Sequence, residues 1–245
     1  MRTSWRQRGL GLVELMVGIT VGLIVAAGAS MVAVNQITEH RRLMLETQVQ
    51  QDLRAAADLL QQDLRRAGFR GDATYLAYVP ASGVGSAAEE PAQAASANPF
   101  MEITEVDSSE VRSVEYTYAR SGPLGVFVIS DTPQAKEHFG VRWDKRSKAL
   151  YLKLGLKADG TGNWQPVTDP TTVEIIDFDF QLSTQDIALS EFCDTDCAGA
   201  NCPRQQVRRI DFTLRGRAVH DGAVVRTLGG TERVRADAVT GACPA

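Results

Sequence analysis

From Leu10 to Val34 the chain is apolar, and the only formal charge in that stretch is Glu14. A run of about 20 apolar residues suffices to cross a hydrocarbon core as a helix, so the pattern predicts a membrane-spanning segment. Past Val34 the sequence turns polar but keeps a helical period: Leu45, Val49, Leu53, Ala56, Leu60, Leu64 and Ala67 recur at steps of four or three. The mean step of about 3.67 residues places these side chains in one narrow stripe and predicts an amphipathic continuation of the same helix. Asp52, Arg54, Asp58, Asp63 and Arg65 fall opposite the stripe and are expected to form a solvated face. Gly68 is the expected stop, with Arg65 and Arg66 in the last turn beside the helix carbonyls. A helix continuous from Leu10 to Ala67 would be roughly 85 Å long at 1.5 Å per residue.

Beyond the helix the period changes. Residues 80–99 are mostly Ala, Ser, Gly, Pro and Glu, with Pro80, Pro91 and Pro99 as breakers, and predict a long exposed loop. Strands are predicted over Val111–Tyr118, Val126–Ile129, Ala149–Leu154, Val173–Leu182, Val207–Leu214 and Ala223–Leu228. Phe178, Phe180 and Leu182, and again Ile210, Phe212 and Leu214, alternate with polar residues, as antiparallel strands covered on one face do. His220-Asp221-Gly222 carries the Asp-Gly signature of a tight hairpin and predicts that its flanking strands pair. The fold class expected is α+β, one long N-terminal helix packed on an antiparallel sheet. The division is 1–9, a leader; 10–34, the membrane half of the helix; 35–68, its amphipathic half; and 69–245, a β-rich globular domain.

Charge sharpens the reading of the N-terminus. Arg2, Arg6 and Arg8 precede the apolar run with no acid among them, a positive flank of the kind that stays cytoplasmic and sends the remainder outward. Glu14 is costly where it stands: a carboxylate inside a spanning helix costs about 2.5 to 3.5 kcal/mol on insertion scales. No Lys or Arg lies between residues 10 and 34 to pair with it. A cut between Gly9 and Leu10 would create an amine at the same depth, in the same chain or a neighbouring one, and would turn that cost into an assembly signal. The competing readings are a secretory signal peptide cleaved at Ala27-Gly28-Ala29 and an uncut anchor. The helical pattern runs past that alternative cut without a break, and an ordinary signal core has no use for a glutamate.

The 245 residues carry a net charge of −4, which gives no electrostatic reason to expect nucleic acid. All four cysteines, Cys193, Cys197, Cys202 and Cys243, lie in the last quarter of an exported chain and are expected to form two disulfides rather than a zinc site. Three pairings are open, and the expected effect is to staple the C-terminal tail to the 193–202 loop. Asp194 and Asp196 lack the ligand spacing of a calcium loop and read as turn residues. His40, His138 and His220 are scattered, and no nucleophile, zinc or phosphate-loop motif is present, so neither an enzyme nor a cofactor is expected. Trp143 and Trp164 are expected as core or rim aromatics.

The segment Arg8-Gly9-Leu10-Gly11-Leu12-Val13-Glu14-Leu15-Met16-Val17 resembles the signal of type IV prepilins and pseudopilins. That resemblance implies cleavage after Gly9 by a prepilin peptidase, N-methylation of Leu10, and pairing of Glu14 with an amino terminus during fibre assembly. Two positions depart from the common pattern. Leu10 stands where phenylalanine is usual, and no proline precedes Pro80, which implies a less kinked helix. Gln62-Asp63-Leu64-Arg65-Arg66-Ala67-Gly68-Phe69 resembles the helix-ending segment of PilW-type minor pilins. The stretch from Asn163-Trp164-Gln165-Pro166-Val167 through Phe178 and Phe180 resembles the lead into a central strand of the same branch. The resemblance implies a subunit that primes type IV pilus assembly and sits in a tip complex with other minor pilins, the major pilin and a PilY-type adhesin, after residence in the inner membrane. A type II secretion pseudopilin shares every N-terminal feature, and a secreted binding protein is the rival from another class.

Overall fold

The computed structural model describes residues 11–71, 98–121, 125, 127, 132–199, 201–241 and 243. The chain forms two compact units, Met1–Thr47 and Gln48–Ala245. One helix, α1 (Leu12–Leu64), contributes to both. Of the expected elements, the leader, the Gly9–Leu10 cut, residues 80–97 of the loop and the Val126–Ile129 strand apart from Phe127 lie outside the described residues.

In the second unit the predicted stripe is the buried face of α1. Val49, Leu53, Ala56, Leu60, Leu64 and Ala67 are buried, joined by Ala57, while Leu45 is half-buried. The regular helix ends at Leu64, and the chain then tightens: Arg66 N–H donates to Asp63 O (3.0 Å) and Ala67 N–H to Leu64 O (3.1 Å). Arg65 and Arg66 therefore lie just past the last regular turn, and Arg65 forms an ion pair with Glu232 (2.7 Å). Gly68 ends the segment at φ +78°, where a Cβ would meet Ala236 and the Arg208 guanidinium. Its N–H reaches Thr117 O and its carbonyl accepts from Asn98 Nδ2, so the stop is stitched to its surroundings.

The strands form two antiparallel sheets where the sequence predicts one. The first runs in chain order through β1 (Ile103–Asp107), β2 (Val111–Thr117), β3 (His138–Asp144), β4 (Ala149–Leu156) and β5 (Gly162–Pro166). The second contains β6 (Val173–Ala188), β7 (Arg204–Ala218) and β8 (Val225–Arg233), with β9 (Ala238–Thr240) also paired to β7. Val114, Tyr116, Phe139, Val141 and Leu150 from the first sheet, and Phe178, Phe180, Ile210, Phe212 and Leu214 from the second, supply the core with the helix stripe. Gly216 lets Leu53 approach β7 closely, since a Cβ there would lie 3.0 Å from Leu53 Cδ2. β6 and β7 pair with a register shift between Ile175 and Asp177. β7 and β8 do pair, but through a six-residue connection rather than a two-residue turn. Asp221 O accepts from Val224 N–H and its carboxylate from Ala223 N–H, and Gly222 adopts no positive φ.

One predicted surface charge is corrected. Asp63 is half-buried between helix and sheet, accepting from Tyr116 Oη (2.5 Å) and Tyr118 Oη (2.7 Å). Tyr118 also stacks on Phe139, with ring centroids 3.7 Å apart. Burial raises the Asp63 carboxyl above its ordinary value, opposed by the two hydroxyls and Arg66.

Two outcomes follow for stability. Leu60 is 0% exposed and its neighbour Leu59 is 46% exposed, so Leu60→Ala should cost about 2–5 kcal/mol of unfolding free energy and Leu59→Ala within about 0.5, measured by urea denaturation. A carboxyl raised in the folded state adds stability that is complete below its ordinary value and lost as pH climbs through the raised one. Asp63→Asn lacks that titration, so acidifying from neutral toward about pH 4 should move urea midpoints in favour of wild type over the variant. A constant gap, or one closing in the other direction, contradicts the burial argument.

Candidate functional site: a bare apolar helix and a stapled β end

In the first unit the described residues from Gly11 to Met44 are exposed, and Gly11 to Val34 is the apolar part of the sequence. Leu12 is 75% exposed and Ile24 73%, values that a water-soluble surface helix does not show at successive apolar positions. The helix is long and apolar enough to cross a membrane. Its hydroxyls suit such surroundings. Thr20 Oγ1 donates to Met16 O or Val17 O, and Ser30 Oγ donates to Ala26 O, so neither is left without a partner when water is excluded.

Glu14 stands in the first turn of α1, where the positive end of the helix dipole favours a carboxylate. It has no ion-pair partner among the described residues. Gly9 and Leu10 lie outside them. What the structure does show is an exposed acid at the start of a helix whose apolar side chains are exposed.

At the far end of the second sheet the four cysteines form two bridges, Cys193–Cys243 and Cys197–Cys202. The first ties the C-terminal tail to the loop after β6 and closes 50 residues, while the second closes five. By chain entropy the long bridge contributes about 4 kcal/mol and the short one about 2, so Cys193–Cys243 is the principal constraint. Between the stapled loop and the strands lies a cavity of about 340 Å³, lined among others by Asp186, Ser190, Pro203 and Arg204. The short 3₁₀ turn Ser190–Phe192 starts at a lining residue and leaves Phe192 75% exposed, and Asp194 and Asp196 are exposed in the loop that follows.

Buried Arg208 fixes the root of this end. Its Nη1 donates to Met101 O (2.6 Å) and its Nη2 to Ala236 O (3.3 Å), joining two loops to β7. Burial lowers the guanidinium pKa against the opposing effect of Asp237. Asp237 in turn accepts from Gln205 Nε2 and Arg233 Nη2, both at 2.6 Å. Asp63 is not distinguishable from a surface charge by period alone. In retrospect, the place of Arg208 at an inward-facing position of β7, in phase with Ile210, Phe212 and Leu214, is the signal that marks it.

The other residues singled out in the sequence disperse. His40 lies exposed on α1, His138 opens β3 rather than lying in a loop, and His220 sits in the β7–β8 connection. Trp143 donates Nε1–H to Ile175 O (3.0 Å) between the sheets, and Trp164 packs under the Arg142 guanidinium at 4.6 Å.

Residues 6–30 match the family model described as the prokaryotic N-terminal methylation motif. Residues 42–235 match the model described as prepilin peptidase-dependent protein B. No curated protein matches the chain, and no solved structure does. The first match covers the exposed apolar start of α1, and the second covers α1 from Arg42 onward together with β1 to β8. With most of its length inside the second match, the chain belongs to the prepilin peptidase-dependent protein B family, a pilin-like group whose members are processed by a prepilin peptidase in the course of pilus assembly.

Proposed function

We propose that this chain is a minor pilin of PilW type that primes type IV pilus assembly and takes a place in the tip complex with other minor pilins, the major pilin and a PilY-type adhesin. Its role is structural. Residues 1–9 are the leader, removed after Gly9; residues 10–34 hold the chain in the inner membrane by a single pass and later lie in the fibre core. Residues 35–68 carry the amphipathic half of the helix, and 69–245 form the periplasmic, later surface-exposed, domain. Arg2, Arg6 and Arg8 on the cytoplasmic side favour that orientation. Removing them leaves 23 basic against 30 acidic residues, a formal charge of −7, so neighbouring domains meet through shape and local charge pairing.

The observation that carries this reading is the bare apolar length of α1 with Glu14 at its start. Lipid or the helices of neighbouring subunits are the partners able to cover it. Within such a core, Glu14 pairs with the amine that cleavage exposes on Leu10 of its own or an adjacent chain. The PilW assignment draws on the Gln62–Phe69 helix end and the Asn163–Phe180 stretch.

Truncating one member of a buried ion pair leaves the other unpaired at a cost of about 3–5 kcal/mol. Glu14→Ala should therefore still be cleaved but enter purified fibres about a hundredfold less than wild type, measured by immunoblot of sheared fibres against membranes. Incorporation at the wild-type level removes the proposed pairing.

A further inference from the structure

Every open strand edge is a template for another strand unless something blocks it, and natural sheets block theirs with charge, proline, bulges, short length or cover. The described edges of this chain nearly all show such a device. β1 has five residues, two of them acidic; β5 has five and ends in Pro166; β9 has three. β8 carries Arg226, Glu232 and Arg233 in nine residues.

β6 is the longest strand, with 16 residues, and its two halves differ. The first half contains the register shift, and its outer edge is occupied from the other sheet. Ile175 N–H donates to Lys148 O (2.8 Å), Ile175 O accepts from Trp143 Nε1, and Phe180 O accepts from Arg112 Nη2 (3.4 Å). Since Phe180 faces away from β7, the antiparallel alternation turns the N–H and C=O of Leu182, Thr184, Asp186 and Ala188 the same way. Leu189 N–H, in the opposite phase, bonds inward to Pro203 O, as that alternation requires. Among the described residues nothing pairs with these outward groups. From Gln181 to Ala188 there is no proline, no bulge, no base and one acid, and residues 183–188 are exposed on both faces.

We infer that the outer edge of Leu182–Ala188 accepts an extended segment of a partner protein as an added strand. The inference rests on the reading of the chain as a fibre subunit with neighbours. Backbone donors and acceptors at alternate residues recognise an extended peptide backbone, and the side chains beside them set its character. On one face Ile187 and Val239 flank Gln205 in a cross-strand row, 42% and 46% exposed, and favour an apolar residue on the incoming strand. On the other face Asp186 lies 3.7 Å from Arg204 with 43% of its side chain still exposed, and the loop that follows adds exposed Glu191, Asp194 and Asp196, an excess of acid over that one base which favours a basic residue. The occupant is therefore a strand alternating basic and apolar side chains. A second copy would offer the same Gln181–Ala188 edge, which contains no base. Residues 72–97 and 122–131 of this chain also contain no Lys or Arg, so neither supplies the complementary charge.

Thr184 allows a selective test, because its N–H points outward: proline there removes a donor to the partner and none to β7. Amide exchange resolved to single residues is compared between the detergent-solubilised full-length chain and purified fibres. Leu182, Thr184 and Asp186 should exchange at least about tenfold more slowly in fibres. Thr184→Pro should lose incorporation, and Thr184→Val should keep it. A photoreactive p-benzoylphenylalanine replacing Gln185 should cross-link to a basic–apolar alternating segment of another protein. Equal exchange in both states, normal incorporation of Thr184→Pro, or cross-links to a second copy or to residues 72–97 or 122–131 would overturn the inference. Should Thr184→Pro misfold, seen as lost protection of Ser183 and Gln185, the exchange and cross-linking of the otherwise native chain decide. Absence of the chain from fibres defeats the proposed function itself; presence in fibres with an unprotected edge defeats the added strand alone.

Discussion

Leu12 to Val34 of α1 present exposed apolar surface, and covering it is the constraint on which the biology of the protein turns. Hydrophobic burial is worth about 25 cal/mol per Å² of apolar surface. A segment of this length cannot stay in water, so the chain exists either in a bilayer or against similar helices. Both environments exclude water, and both make an isolated carboxylate expensive. In the proposed fibre Glu14 is the residue that separates a pilin-like helix from a plain anchor, because cleavage after Gly9 supplies an amine that can be brought to it.

The second part of the helix solves a different problem with the same backbone. From Val49 onward one stripe is buried against two sheets, and the polar positions become specific where they approach the sheet. Asp63 ties the end of the helix to Tyr116 and Tyr118, and Gly68 turns the chain where no Cβ fits. At the other end of the β6–β7 ribbon no helix among the described residues provides cover, and order comes from covalent and ionic means: the Cys193–Cys243 bridge, the Arg208 anchor and the Asp237 contacts. A domain with little apolar cover at one end needs such staples.

The helix was legible because its signal is long and periodic. Six of the seven stripe residues are buried, and Gly68 stops the segment as its lack of a Cβ implies. The central strands were legible from alternation; β6 runs past its predicted end because residues 183–188 are exposed on both faces, and β7 runs past Leu214 because its inward positions there are the small Gly216 and Ala218. β3 shows the alternation Phe139, Val141, Trp143 and was within reach; β1, β5 and β9 are short, polar edge strands whose pairing depends on neighbours distant in sequence. Division into two sheets, the cysteine pairing and the burial of Asp63 depend on tertiary approach, which no local pattern encodes, whereas the phase of Arg208 with Ile210, Phe212 and Leu214 was there to read. The Asp-Gly pair marked the right hairpin but the wrong turn, because the Asp221 side chain caps Ala223 and widens the connection.

The account stands or falls on where the mature chain begins. Intact-mass and peptide mass spectrometry of the protein from membranes of cells that hold an active prepilin peptidase should find an N-methylated Leu10 as the first residue. A mature protein starting at Ser30, or one still carrying Met1 to Gly9 in assembled fibres, would contradict it.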